Sequence, residues 1–553
     1  MTADCIAAQE ATTTKTNRVA QVCAVLLLLV LALGIFVRVW KLGSWPPLFG
    51  DEAAPGVLAL RGLADDFTHI KGVRAYFSPL YVLIQMPFVS LLGNTTIALR
   101  LSSLVYGLLT ILAAYFTARR LWGPRAGLMA ATAAAILPLS VVMGGRIGWE
   151  PALTFPIVAW ALYFAVLAWQ QHSVVAAIVC GALLALGTYA HPAAGLAVPG
   201  LIVGTVASGK LRPHLREAMV VVIVLALLSF PSTTLMRQLL TTGELNISAF
   251  THASAEMVKL RQTNSFSPRE IGLNLFRTLD HFTGLVTTQY LLGPLNPPWS
   301  LPIKLFRVAC VGLWLIIAFV SVRNGPLGRF LVGYVAGLFP VAHVTHPWFV
   351  VEPGHGRYLL AVAPLLPLLV IIAIRSKRNR LELIARHAAF VIFVMWVGAT
   401  IVMLSFIHRD INGMDEIRTT VVGDPNRAAA DFLVQHVDPA HDLILSRWCF
   451  YWPIKYYTQE QLPMFSSDLV WFDNQLVQVP ETTGKRQVWG VQMPDDNPPP
   501  FAIEVLASWP SLNDPSHYYT IWIADEPQAA IEWALDDYQR RLAIHQRRFD
   551  TAD

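Results

Sequence analysis

Residues 19–37 read VAQVCAVLLLLVLALGIFV, nineteen positions without one charged side chain. As a helix the run rises about 28 Å at 1.5 Å per residue, close to the roughly 30 Å of a bilayer's hydrocarbon core. Lys15 and Arg18 precede it, and Arg38 and Lys41 follow. The run is near full spanning length and lacks a small-residue cleavage pattern, so it reads as a retained first span rather than a signal peptide.

The rest of the chain repeats the pattern. Apolar runs recur at 97–118, 127–144, 151–169, 174–190, 193–208, 218–236, 306–322, 329–345, 358–374 and 388–407. With the first they make about eleven spans, each near the length a helix needs to cross. Composition agrees: 55% of the 553 residues are hydrophobic and 14% charged, against roughly 25% charged in soluble proteins. Mean hydropathy is +0.50. A cytosolic enzyme, a secreted disulfide scaffold and a disordered protein are excluded. The net charge of +5 is mild, and no basic run alternates with aromatics, so nucleic acid is not an expected partner. The five cysteines, at 5, 23, 180, 310 and 449, form neither a disulfide framework nor a CxxC metal pair.

Alternate connections carry the basic residues. Lys15 and Arg18 lie on one side with Arg119, Arg120 and Arg125, then Lys210, Arg212 and Arg216, then Arg323 and Arg329, then Arg375 to Arg386. Gln170-Gln171-His172 is the exception on that side. By the positive-inside rule the N-terminus, 1–18, is cytoplasmic and the C-terminus extracytoplasmic. The expected organisation is a transmembrane module at 19–410 with large outward loops at 40–96 and 237–305, then a tail at 411–553. The stretch beginning at Ser78 and ending near 92 is apolar but short and Pro-interrupted. It reads as an interfacial helix on the outer surface. In the tail, a helix at Asn426–His436 alternates with strands at Asp442–Ser446, Gln487–Val491 and Tyr519–Ile523, which predicts a small extracytoplasmic α/β domain.

Chemistry concentrates in the outward loops. Trp45-Pro46-Pro47-Leu48-Phe49-Gly50-Asp51-Glu52 sets two carboxylates just beyond the first span. One of them can serve as a general base; an N-cap acid pair opening a helix at 53–63 is the plainer reading. Met143 to Pro151 holds Arg146 and Glu150, a candidate site pair or an i,i+4 cap. Glu352 to Tyr358 contains His355, Arg357 and Tyr358 at the mouth of a span, where an Arg fork suits phosphate and a snorkelling Arg is the alternative. His191 sits in a tight outward turn. Lys71 and Arg74 are outward cations that call for anionic partners, either lipid headgroups or a bound lipid phosphate. His343, His346 and His355 match no metal-ligand spacing, so no obligatory metal is expected.

Taken in order, Gly50-Asp51-Glu52, Ser78-Pro79-Leu80-Tyr81, Ala98-Leu99-Arg100-Leu101, Ala118-Arg119-Arg120-Leu121-Trp122-Gly123, Arg146-Ile147-Gly148-Trp149-Glu150 and Gly356-Arg357-Tyr358-Leu359-Leu360 resemble the GT-C membrane glycosyltransferases of the protein O-mannosyltransferase and lipid A aminoarabinose transferase type. The similarity covers roughly residues 19–375. It implies an inverting transferase that takes a sugar from a polyprenyl-phosphate donor without a cofactor. Asp51 would be the general base with Glu52 beside it, and Glu150 the second acid. Arg357 would hold the lipid phosphate, with Lys71, Arg74 and Arg146 as further candidates. Tyr358, His355 and His191 would line the substrate pocket. Where some relatives carry an Arg three residues after the first acid, this chain has Ala54. The tail also differs from that of protein O-mannosyltransferases, so lipid, glycan and protein acceptors stay open. The principal rival, a multi-span transporter or lipid flippase, places ionisable residues near the midplane. Here the acids cluster in outward loops.

Overall fold

The computed structural model describes residues 2–48, 50–64, 79–195, 197–209, 212–229, 301–345, 361–376, 379–409, 411–414, 419–422, 424–466, 480–492, 502, 504–510 and 518–550. Lys71, Arg74, His355, Arg357 and Tyr358 lie outside these residues. Among the described residues, four helices are long and apolar enough to cross a membrane: Gln21–Val39, Thr96–Trp122, Glu150–Gln171 and Arg380–His408. Shorter apolar helices accompany them, including Val174–Ala190, Ala197–Ala207 and Val308–Arg323.

The first helix, α1 (Thr2–Val39), extends well before its apolar run. A short helix α2 (Gly50–Ala64) follows the 40–49 loop, and α3 (Pro79–Leu92) occupies the stretch expected to be an interfacial helix. Then come α4 (Thr96–Trp122), α5 (Pro124–Ile136), α6 (Pro138–Val142), a 3-10 turn at Glu150–Leu153 and α7 (Thr154–Gln171). They continue with α8 (Val174–Ala190), α9 (Pro192–Gly195), α10 (Ala197–Ala207) and α11 (Leu215–Ser229). The later set is α12 (Leu301–Arg323), α13 (Pro326–Thr345), α14 (Leu366–Arg375) and α15 (Arg380–His408). Val22, Val25, Leu28 and Leu29 of α1 and Leu227 of α11 are exposed. In water such a surface would be an aggregation hazard, whereas lipid tails solvate it.

The run expected as one span at 127–144 is two helices. Pro138 has no N–H to give the carbonyl of Ala134, four residues back, so α5 stops at Ile136 and α6 starts at Pro138. Arg38, at the end of α1, fills the break. Its guanidinium donates to the carbonyls of Ala135 (3.0 Å), Ala134 (3.5 Å) and Ser140 (3.3 Å) and to Ser140 Oγ (3.1 Å). Arg38 is fully buried. Gly145 leaves room for it, because a Cβ there would lie 2.4 Å from Arg38 Cδ.

The C-terminal part is built on a five-stranded sheet. The strands are β1 (Ile411–Met414) and β2 (Thr419–Val422), which pair as a hairpin, then β3 (Asp442–Ser446), β4 (Met464–Phe465), β5 (Gln487–Gln492), β6 (Glu504–Pro510) and β7 (Tyr518–Ala524). The sheet order is β4-β3-β5-β7-β6, parallel across β4, β3 and β5 and antiparallel across β5, β7 and β6. Helices α16 (Pro425–His436), α17 (Trp448–Tyr457) and α18 (Pro527–Asp550) complete it. Among the described residues the sheet shares its core with the start of the chain. Leu48, Ala53, Val57 and Leu58 from the first loop and α2 share one buried cluster with Leu443, Ile444, Phe450, Tyr456 and Trp522.

Candidate active site

The site begins with the way the first loop is held. Arg146 spreads its guanidinium over the carbonyl end of α1 and the loop after it. It donates to Val37 O (2.9 Å), Arg38 O (3.1 Å), Trp40 O (2.7 Å) and Trp45 O (3.0 Å), and it stacks 5.2 Å over the Trp45 ring. A cation at a helix C-terminus meets orphan carbonyls and the negative end of the dipole. Arg146 is fully buried, and both of its terminal nitrogens donate to backbone carbonyls.

From that anchored loop α2 departs with Asp51 and Glu52 in its first turn. The two acids diverge. Glu52 is fully buried, and its carboxylate takes a bidentate fork from Arg100: Nε to Oε1 at 2.7 Å and Nη2 to Oε2 at 2.8 Å. Arg100 also donates to Leu42 O at 2.8 Å. Glu52 Oε1 accepts the Gly148 N–H at 2.7 Å. One buried carboxylate thus ties the start of α2, α4 and the 143–150 loop together. Gly148 is required for the approach, because a Cβ there would stand 2.4 Å from Leu99 O. Beside the pair, Gln85 Nε2 donates to Ser102 Oγ (2.9 Å), Leu99 O (3.0 Å) and the Tyr81 hydroxyl, a buried network linking α3 to α4. Asp51, one residue earlier, is part-exposed.

Glu150 opens the 3-10 turn that leads into α7 and is nearly buried. It lies two residues from the Gly148–Glu52 contact, so the structure brings the first two acidic loops together. His191 ends α8 in an extended conformation, with its N–H on Gly187 O at 2.9 Å. The same helix packs on the Glu150 turn, which sets His191 at that end of the bundle.

Sequence reasoning missed a third contribution, from the tail. Asp424 is the N-cap of α16, with Oδ1 accepting from the N–H groups of Asn426 (3.0 Å) and Arg427 (3.3 Å). Its Oδ2 accepts from the Tyr457 hydroxyl at 2.6 Å and from Leu48 N–H at 3.4 Å. Asn426 Nδ2 donates back to Leu48 O at 2.5 Å. Burial raises the Asp424 carboxyl above the ordinary aspartate range, against the lowering pull of the Tyr457 hydrogen bond and the Arg100 charge. The Asp-Pro that opens a helix is a legible capping signal. Nothing local says that its partner lies 376 residues away.

Residues 77–236, which span Arg100, Arg146 and Glu150 but stop short of Asp51, match the family described as dolichyl-phosphate-mannose-protein mannosyltransferase. ArnT from Cupriavidus metallidurans bound to undecaprenyl phosphate superposes with a TM-score of 0.57 at 16% identity, covering 91% of this chain and 98% of that one. Its apo state gives 0.55 at 17% identity, over 90% and 97%. The fold is that of a GT-C membrane glycosyltransferase. The Archaeoglobus fulgidus oligosaccharyltransferase, solved with Zn and sulfate, is similar at a TM-score of 0.51 and 13% identity, over 84% of this chain and 68% of that one. No curated protein matches in sequence. The GT-C match runs through the tail as well, in keeping with the core that the sheet shares with α2.

Proposed function

We propose that this protein is an inverting glycosyltransferase of the cell membrane. It moves a sugar from a polyprenyl-phosphate donor to a hydroxyl of a lipid, glycan or protein acceptor on the extracytoplasmic face. Asp51 takes the acceptor proton, the new C–O bond forms at the anomeric carbon, and the bond to phosphate breaks with the pair leaving on polyprenyl phosphate. Glu52 acts through position: it fixes the first turn of α2 and so the direction of Asp51. Glu150 and His191 border the acceptor side. Arg357, with Lys71 and Arg74, neutralises the departing phosphate, and Tyr358 and His355 line the pocket. Because cationic side chains hold a leaving group that is already an anion, the step needs no metal.

The observation that carries this reading is the Glu52–Arg100–Gly148 node. A fully buried, bidentate ion pair is an expensive device, and here it holds a part-exposed neighbouring carboxylate at a fixed place between two loops. The undecaprenyl phosphate bound by ArnT supports the choice of donor. The test is to incubate membranes containing the protein with a panel of radiolabelled polyprenyl-phosphate sugars. Label passing to an acceptor only when the protein is present is the expected result. Lipid movement across the bilayer without any transfer would contradict it.

A further inference from the structure

A second cluster of ionisable groups lies at the far end of α7 from Glu150. That helix has 18 residues, about 27 Å at 1.5 Å per residue, so the cluster and the candidate active site occupy opposite ends of a span. His172 closes α7 in a left-handed conformation (φ 51°, ψ 37°), which turns the chain toward α8 and leaves the imidazole more than half exposed. His214 comes from the turn before α11, and Glu217 from that helix's first turn. The imidazoles stack at 4.8 Å with an 18° tilt, and Trp169 packs edge-on against His214 at 5.4 Å.

Both rings present Nδ1 to the same carboxylate. His172 Nδ1 is 3.9 Å from Glu217 Oε1, and His214 Nδ1 is 4.0 Å from Oε2. All three ligand atoms lie within 4.8 Å of one another. The two His–Glu distances are too long for hydrogen bonds. Ligand atoms around a tetrahedral ion with bonds of about 2.0–2.1 Å stand roughly 3.3 Å apart, so on binding an ion His214 Nδ1 and Oε2 would draw together by about 0.7 Å from their 4.0 Å separation. Arg216 donates to Oε1 at 2.9 Å and to the His172 carbonyl at 2.9 Å, so it orients the carboxylate and pins the turn. Glu217 Oε2 is left without a hydrogen-bond partner on a side chain only 6% exposed.

We propose that His172, His214 and Glu217 bind a borderline divalent cation of the zinc class, with water from the His172 side completing the shell. Two imidazoles and one carboxylate suit that ion. Arg216 on the other carboxylate oxygen is the outer-shell hydrogen bond that ligating carboxylates commonly receive. The ion is structural. It staples the turn after α7 to the start of α11, adding to the imidazole stack and the exposed Arg216 that already join them.

The test uses the full-length protein without a polyhistidine tag, stripped with chelator in detergent and titrated with Co²⁺ and then Zn²⁺. One equivalent of Co²⁺ should give the visible bands of a low-coordinate site, and Zn²⁺ should displace it and raise Tm. His172→Ala should lower Zn²⁺ affinity by at least about tenfold and abolish the zinc-dependent rise in Tm. Should that variant fail to accumulate, Glu217→Gln in the same titration decides. Absence of Co²⁺ bands from the unaltered protein, or unchanged affinity in the variant measured, overturns the site.

Discussion

Asp51 and Glu52 are neighbours in the chain and have different environments. A helix turns about 100° per residue, so when one carboxylate faces the α4–loop junction, the next in line faces elsewhere. The sequence shows an acid pair but not which member is committed inward, because the guanidinium that selects Glu52 is 48 positions away. Arg100 stood inside a family-like motif without a role until the fold placed it. The pair gives a sharp expectation. Arg100→Met leaves a buried carboxylate without its counter-charge, a loss of about 3–5 kcal/mol, read as a large drop in Tm. Glu52→Gln combined with Arg100→Met should recover much of it. Equal instability of the single and double variants would mean that the two side chains are not coupled.

Among elements, α2 is the hinge-pin between bundle and tail. Its inner face packs on α17, and at its end Arg61 forks onto Glu460, with Lys455 adding a contact at 3.3 Å. Burial alone would raise the Glu460 carboxyl, but the Arg61 hydrogen bond and the charges of Arg61 and Lys455 outweigh it and hold it below the ordinary glutamate range. Its contribution is therefore full above that range and fades as pH falls through the lowered value. Both partners keep some solvent contact, with 33% and 25% of their side chains exposed, so the effect is about 0.2–1 kcal/mol. Asp424 works in the opposite sense, since a raised folded value makes stability fall as pH climbs above the ordinary aspartate range. Protection factors in α2 and α17, with the intrinsic pH dependence of amide exchange divided out, should fall on acidification in the unaltered protein and lose that acid-side response in Arg61→Ala; an unchanged response would remove the Glu460 link. Other element boundaries were only partly legible. Pro138 sat inside an apolar run read as continuous, and its missing N–H is made good by an arginine from another helix. Strand β6 escaped notice because Pro510 and a bulge at Val505/Ala507 break its alternation, which an edge strand tolerates.

For the whole molecule, composition and apolar runs announce a membrane protein, and the basic connections suggest which way it lies. They do not announce that the tail shares its core with the first loop, since Leu48, Val57 and Tyr456 meet only in three dimensions. The proposed topology can be checked at Glu481, which is exposed. A membrane-impermeant thiol reagent applied from outside should label Glu481→Cys above the background of the unaltered protein; protection until the cells are opened would invert the orientation. The central claim is that the buried node exists to hold Asp51 at the reacting centre. The most direct test is sugar transfer from a polyprenyl-phosphate donor by purified Asp51→Asn, beside the unaltered protein. The account predicts that transfer is abolished while Tm and membrane insertion stay unchanged, and near-normal turnover by that variant would contradict it.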